Sequence, residues 1–268
     1  MARRRSTPRQ ALLVGDPNLI WPIPQVVAAA GFEVDVVTVA GTRVHRSRRV
    51  RRTTVAGTLA EGLALAGQQS EVRTYDWIII GDDASLRLVR TDPRLTPETR
   101  LRLAPVTDAT HLSHLASKVV LTQRLAELPV SSPRFRLAKS APEAAAAAEE
   151  LGGTALLKPD FGSGGAGIIF AEPPTVAAVG WHLIASRETP DGPGLPGGEP
   201  GVLLQEYVNG CSVDVSGIFW NGALIHYTYA RSMASHNRFG ATSVRHYYPT
   251  SDVSPAIVEE LGKIFLPE

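Results

Sequence analysis

A glycine-rich segment between two apolar runs constrains the fold more than any other feature of this sequence. Four of the six residues from position 162 to position 167 are glycine. Because glycine has no Cβ, several consecutive backbone N–H groups can point at one anion. The apolar runs at residues 155–159 and 168–171 are typical of strands. We therefore predict a glycine-rich turn that joins two strands and covers a phosphate; a flexible hairpin without a ligand is the alternative.

Two familiar phosphate-binding loops do not fit this segment. Gly162, Gly164 and Gly167 have the spacing of the dinucleotide-binding motif, but that motif leads into a helix, whereas residues 168–171 are strand-like. A P-loop needs Lys and then Ser or Thr directly after its last glycine, and neither follows Gly167. The segment therefore indicates a flap over phosphates, with Lys158 at the end of the preceding strand.

Strand-like and helix-like patterns alternate over the first hundred residues, which predicts an α/β domain with a parallel sheet. The strands are expected at residues 11–15, 32–39 and 76–81, and the helices at residues 22–30 and 57–69. Asp82 and Asp83 follow the third strand, at the position where open α/β sheets bind ligands. An N-cap role for Asp83 is the alternative.

An arginine-rich segment lies between these elements. Residues 43–52 contain six arginines in ten positions. A solvated connection is our main interpretation, because no aromatic residue that could stack on bases is interleaved with the arginines. Steering of an anionic ligand or contact with nucleic acid is the alternative.

The second half of the sequence mixes short strands and helices and predicts an α+β region. Apolar residues at helical spacing indicate a helix at residues 113–127, with Ser113 as its N-cap. Further strands are expected at residues 135–138, 202–207, 213–220, 223–229 and 243–248, and further helices at residues 142–151, 175–186 and 254–265. Asn221 and Gly222 predict a hairpin turn between two of these strands.

The composition excludes several classes of protein. The 268 residues are 44% hydrophobic and 20% charged, with a net charge of +1, which argues against a disordered or nucleic-acid-coating chain. A single cysteine excludes disulfide frameworks and cysteine zinc sites and indicates a reducing, cytoplasmic compartment. No apolar run approaches the ~20 residues of a membrane helix. We expect neither a membrane nor a nucleic acid as partner.

Four pieces of the second half follow one another in an order that resembles the ATP-grasp superfamily of carboxylate-amine and carboxylate-thiol ligases. They are the helix with Ser117 and Lys118, the hinge at residues 128–133, Lys158 with the glycine-rich segment, and the strand and linker at residues 203–210. Only four of the 27 basic residues are lysines, and two of these four fall on these pieces. The resemblance covers residues 105–265.

The resemblance implies a fold and a division into domains. An N-terminal Rossmann-like, pre-ATP-grasp α/β domain is expected at residues 1–104, followed by a helix and hinge at residues 105–130. A small ATP-grasp lobe with the flap is expected at residues 131–205. Part of the large lobe is expected at residues 206–268, so that the last lobe is incomplete.

The resemblance also implies site residues. ATP would be bound by Lys118, Lys158, Ser163, Gly164, Gly165, Gly167, Gln205, Glu206, Tyr207 and Val208. The two lysines would neutralise the phosphates, the flap would cover them, and backbone groups of residues 206–208 would contact the adenine edge. Arg231, in a polar stretch at residues 231–245, is the candidate catalytic residue.

The activity implied by the resemblance is ATP-dependent ligation of a carboxylate to an amine through an acyl phosphate, as part of a biosynthetic reaction. Small-molecule carboxylates and amines would be the substrates, and a homodimer is left open. The alternative is a non-catalytic or truncated nucleotide-binding module that needs additional sequence or a partner chain.

Two departures from the family pattern bear on this choice. Cys211, Ser212 and Val213 follow Gly210, where the family has an acidic residue that binds the ribose; Ser212 or Asp214 could substitute. The resemblance implies Mg²⁺, but the acidic residues that would bind it are expected beyond a helix like the one at residues 254–265. The adjacent Glu259 and Glu260 on that helix cannot replace ligands on neighbouring strands. We therefore predict no metal ligand in this chain.

Overall fold

The computed structural model describes residues 9–41, 43–106, 108–162, 164–186, 201–220, 223–235 and 239–264. The chain divides into two compact units, Met1–Ala116 and Ser117–Glu268. The boundary falls within residues 105–130, where we expect the helix and hinge. The finer division into lobes stays a prediction.

The first unit is built on a parallel sheet. Its elements are β1 (Arg9–Val14), α1 (Ile23–Ala29), β2 (Phe32–Val39), β3 (Val50–Ala56), α2 (Leu59–Val72), β4 (Trp77–Ile80), α3 (Asp83–Thr91) and α4 (Pro97–Leu103). The strand order is β3-β2-β1-β4, and every neighbouring pair is parallel. Alternate residues of β1 point to opposite faces: Leu13 packs in a cluster with Val27 of α1, and Leu12 packs with Leu63 of α2. The predicted α/β domain is confirmed.

The arginine-rich segment is not simply a solvated connection. Residues from Val50 onwards form the edge strand β3, and Arg51 on this strand donates to the buried carboxylate of Asp35 at 2.8–2.9 Å. The β-branched residues Val50, Thr53 and Val55 are the signal for this strand. The arginines had masked that signal in the sequence.

The acidic pair after β4 is a helix cap, although the capping residue is Asp82 and not Asp83. The Asp82 carboxylate accepts bonds from the backbone N–H of Ser85 at 2.8 Å, from its hydroxyl at 2.9 Å and from the N–H of Asp16 at 2.8 Å. Three donors satisfy this buried carboxylate, which explains its position without a ligand.

The second unit contains two antiparallel sheets. Its elements are α5 (Lys118–Glu127), β5 (Phe135–Ala138), α6 (Ala141–Glu150), β6 (Ala155–Lys158), β7 (Ile169–Ala171), α7 (Thr175–Ala185), β8 (Val202–Glu206), β9 (Val213–Trp220), β10 (Ala223–Ser235), β11 (Thr242–Tyr248) and α8 (Pro255–Ile264). One sheet has the order β5-β8-β6-β7 and the other β11-β10-β9. The predicted glycine-rich connection between two paired strands, β6 and β7, is confirmed.

Helices cover both faces of the β5-β8-β6-β7 sheet. On one face Leu157 and Leu204 pack with residues of α6 and α7 in the main core of this unit. On the other face Leu203 packs against Val119 of α5. Helix α5 therefore packs on the sheet that contains strand β6.

The N-cap of helix α5 lies four residues later than predicted. Residues Ala109–His114 form a 3₁₀ helix, Ala116 has a positive φ of 53°, and Ser117 rather than Ser113 is the N-cap of α5. A left-handed residue ends one helical segment because its backbone cannot continue a right-handed helix. The apolar periodicity continues through this break, so it gave no warning.

Strand β10 is longer than predicted and runs through Ser235, with irregular pairing to β11 near Ala234. The turn at residues 221–222 lies outside the described residues, but the strands on either side pair as a hairpin. Over the described ranges, no helix is both long enough and apolar enough to cross a membrane.

Candidate nucleotide site

The N-terminus of α5 is fixed to the start of the glycine-rich loop. The carboxylate of Asp160 accepts bonds from the hydroxyl of Ser117 at 2.7 Å and from the N–H of Val119 at 2.9 Å. The backbone oxygen of Asp160 accepts from the N–H of Lys118 at 3.0 Å, and the Ser117 hydroxyl accepts from the N–H of Val120 at 3.1 Å. The first N–H donors of this helix are therefore occupied by protein acceptors.

Lys118 and Lys158 each donate a hydrogen bond near this junction. The Lys118 ammonium donates to the backbone oxygen of Gly162 in the glycine-rich loop. The Lys158 ammonium donates to Gln205 Oε1 at 2.5 Å, and Gln205 Nε2 lies 3.4 Å from the hydroxyl of Thr122 on α5. Gln205 thus connects the strand that carries Lys158 with the helix that carries Lys118.

The electrostatics show that the two amines are close enough to interact. Burial lowers the pKa of Lys158 below its ordinary value, and the positive charge of Lys118 lowers that pKa further. Two like charges at a half-buried position are unfavourable unless an anion neutralises them. A bound anion would neutralise this pair of charges.

The glycine-rich loop uses backbone conformations that favour glycine. Gly162, Gly164, Gly165 and Gly167 all have positive φ values, between 60° and 121°. A Cβ at Gly165 would collide with the backbone oxygen of Phe239, which precedes β11. The loop tip therefore packs directly on the backbone of another segment. Ser163, the remaining predicted residue of the flap, lies outside the described residues.

The predicted linker begins where the central strand β8 ends. Arg134 holds the Glu206 carboxylate through its guanidinium at 2.6 Å and its backbone N–H at 3.0 Å, and these bonds hold the pKa of Glu206 below its ordinary value. The Tyr207 ring packs edge-on against Phe170 of β7, with 5.2 Å between ring centroids. Val208 is 63% exposed. This linker therefore follows β8 beside the strand that ends the flap.

Comparison with solved structures decides the fold. An L-amino acid ligase from Bacillus licheniformis matches with a TM-score of 0.68 at 14% identity, over 97% of this chain and 60% of that one. N5-carboxyaminoimidazole synthetase from Staphylococcus aureus, complexed with ADP, matches with a TM-score of 0.67 at 14% identity, over 96% and 62%. A phosphoribosylamine–glycine ligase from Thermotoga maritima matches with a TM-score of 0.64 at 14% identity, over 96% and 60%.

The chain has the ATP-grasp fold. No protein-family model matches the sequence, and no curated protein matches it either. The chain spans about 60% of the length of the ATP-grasp ligases it matches. The expected fold, an α/β domain followed by ATP-grasp lobes, is confirmed.

The candidate catalytic residue lies on the β9–β10–β11 sheet of the ATP-grasp fold. Arg231 is within β10, not after it as predicted, and is paired with Val213 and His246 on the neighbouring strands. Its guanidinium lies 2.7 Å from the sulfur of Cys211, and that contact raises its pKa. Asp214, a candidate for the ribose contact, pairs with Arg245 at 3.0 Å. The roles of Arg231 and Asp214 stay predictions.

The residues described do not fit a magnesium site. Outside the undescribed segments, no group of three or more His, Cys, Asp or Glu side chains could hold a metal ion. Glu259 pairs with Lys263 at 2.9 Å, and Glu260 accepts the Ser131 hydroxyl at 2.9 Å. Both carboxylates of α8 thus have other partners.

Sequence reasoning missed three residues that shape the site. Asp160 bonds to residues 41 and 43 positions away in the chain, and Arg134 bonds to Glu206, 72 positions away. Phe239 stacks on Phe170 with 6.0 Å between the ring centroids. Such distant pairs leave no periodic signal. The one available signal was an acidic residue directly after Lys158-Pro159, at the entrance of the flap.

Proposed function

We propose that this chain binds ATP between the β5-β8-β6-β7 sheet and the residues that follow β8. The observation that carries the proposal is a lysine pair in an ATP-grasp fold: Lys118 bonds to the glycine-rich loop, and its charge lowers the pKa of Lys158. Compact ammonium charges suit a polyphosphate, whose negative charge would relieve the repulsion between them. Gly164, Gly165 and Gly167 would cover the phosphates.

The linker would bind the base. Because Arg134 holds the Glu206 carboxylate, the backbone groups of residues 206–208 are the ones that would contact the adenine edge. Gln205 would keep Lys158 in place from the neighbouring strand. An arrangement of this kind selects adenine by hydrogen bonds and the triphosphate by charge.

The reaction we propose is ligation of a carboxylate to an amine. The carboxylate oxygen would attack the terminal phosphorus of ATP, giving an acyl phosphate and ADP; the amine would then attack the acyl carbon and release phosphate. The matched structures include ligases, which supports this reaction class. Arg231 would stabilise the transferred phosphoryl group after exchanging its contact with Cys211 for the phosphate.

A nucleotide-binding module without chemistry is the second candidate. It is favoured by the lack of a clustered carboxylate set in the described part of the chain. Without a carboxylate cluster to hold Mg²⁺, the proposed site would neutralise the phosphates with its lysines and its arginine only. The cytoplasmic location, the small-molecule substrates and the homodimer stay predictions.

Calorimetric titration of the purified chain tests the proposal. MgATP and MgADP should bind, adenosine should bind more weakly because it lacks the phosphates, and NADH should not compete. Release of ADP and phosphate only when a carboxylate and an amine are both supplied would support the ligase over the binding module. No detectable MgATP binding would refute both.

The affinity for ATP should fall as the pH is raised. Because the pKa of Lys158 is lowered, this amine loses its proton below the pH at which an ordinary lysine does. ATP binding is therefore at full strength below the pKa that Lys158 has in the chain without ATP. It weakens above that pKa, because phosphates raise the pKa of the amine they bind. Titrations at pH values below the ordinary lysine pKa of about 10.4 should already show this fall. In Lys158→Arg, whose guanidinium stays charged, the fall should move to higher pH.

Replacing Gly165 with alanine should weaken ATP binding by roughly tenfold, a change of about 1.4 kcal/mol. The new Cβ would collide with the Phe239 backbone and force the loop tip to move. Gly164→Ala is the matched control: its φ is also positive, but its Cβ would lie an ordinary 3.7 Å from Ala241. Equal losses in the two variants, measured by calorimetry, would contradict the packing argument.

A further inference from the structure

We infer that Asp160 is a positioning residue for Lys118, an inference that rests on the proposed ATP site. Asp160 is only 7% exposed and lies two residues after Lys158 and two residues before Gly162. Its bonds tie the β6 end of the glycine-rich loop to the first turn of α5. One side chain thus connects the strand of one lysine with the helix of the other.

The bonds of Asp160 fix the direction of the Lys118 side chain. Lys118 is the first residue of α5, between Ser117 and Val119, which both donate to the same Asp160 oxygen. Its own N–H donates to the Asp160 backbone oxygen. Three consecutive residues are therefore bound to Asp160, and the ammonium is directed to the loop oxygen of Gly162.

The same bonds decide how an anion can be held here. A free helix N-terminus binds phosphate through its N–H groups. In α5 those of Lys118 and Val119 are occupied by Asp160, and that of Val120 by Ser117. The phosphates must therefore be bound by the lysine amines and the loop, which makes the placement of Lys118 important. Asp160 supplies this placement through its acceptor oxygen and not through its charge.

Two variants separate the acceptor oxygen from the charge. Asp160→Ala removes the acceptor and should weaken MgATP binding roughly tenfold, whereas Asp160→Asn keeps an acceptor oxygen and should stay within about threefold of wild type. Adenosine affinity, measured by competition, should be unchanged in both. An Asn variant as weak as the Ala variant would overturn the acceptor argument.

Asp82→Ala is the matched structural control. Asp82 is 8% exposed and accepts from the hydroxyl and the backbone N–H of Ser85 at the start of α3, in the other unit. Its removal should lower the melting temperature without changing MgATP affinity. If Asp160→Ala only lowers the melting temperature in the same way, Asp160 has no role in positioning.

A double-mutant cycle shows whether Asp160 acts through Lys118. Lys118→Ala should weaken MgATP binding, and adding Asp160→Ala to it should cause no further loss. Additive losses would overturn the inference while leaving the ATP site intact. A wild-type chain that does not bind MgATP would refute the proposed function and the inference together.

Ser117→Ala provides the test if Asp160→Ala fails to fold. This variant removes the hydroxyl that donates to Asp160 and leaves the bond from the Val119 N–H. It should weaken MgATP binding about threefold, since one of the bonds that hold the helix end is lost. Unchanged affinity for MgATP in a folded Ser117→Ala variant would overturn the inference.

Discussion

Replacing Lys158 with alanine should weaken MgATP binding by roughly 10- to 100-fold. A charge-assisted hydrogen bond contributes about 1.5–3 kcal/mol, and the lost amine would face the phosphates from a half-buried position. Gln205 Oε1 would also lose the ammonium that donates to it. Adenosine has no phosphate, so its affinity should change little. Calorimetry with both ligands measures the difference.

Lys139→Ala is the control for this experiment. Lys139 is an exposed lysine of the same unit, between β5 and α6. Its removal changes the net charge by the same amount as Lys158→Ala but leaves the proposed site intact. If both variants bind MgATP like wild type, the phosphate site lies elsewhere.

Replacing Val208 with proline should weaken the binding of ATP and of adenosine, each by roughly tenfold. Proline lacks the backbone N–H that we expect to bind the adenine edge, and the loss of one such bond accounts for about 1.4 kcal/mol. The two ligands should be affected equally, because both carry the base. This pattern is the opposite of that expected for Lys158→Ala.

Val208→Ala provides the comparison for the proline variant. Alanine keeps the N–H and removes most of a side chain that is already 63% exposed. Its affinities should stay within about twofold of wild type, since exposed substitutions have small effects. Circular dichroism confirms that both variants are folded. A proline variant that binds adenosine normally would exclude the linker as the base site.

The sequence predicted the elements whose patterns are local. The glycine-rich turn between β6 and β7 and the bounds of β2, β5 and β9 agree with the structure, because alternation of side chains and glycine content are properties of neighbouring residues. The motif pointed to Lys118 and Lys158, and the structure brings the two amines close enough for their charges to interact.

The errors arose where a distant or a backbone effect overrides the local pattern. The strand β3 was missed because the charge of its Arg51 is neutralised by Asp35, a residue of the neighbouring strand. The start of α5 was placed too early because the left-handed Ala116 interrupts a continuous apolar periodicity. Asp160 could not be assigned a role, since its partners on α5 are more than 40 residues away.

Because α5 packs on the sheet that contains β6, the lysine pair affects the stability of the fold. Without nucleotide the two amines repel each other, and α5 cannot move away without exposing Val119 and Leu203 and breaking the bonds to Asp160. The folded chain therefore contains local frustration that ATP, bound as we propose, would relieve. Selection for heat resistance alone would favour a neutral residue at position 118 or 158. Such a replacement would stabilise the fold and remove the ATP binding that we propose for this chain.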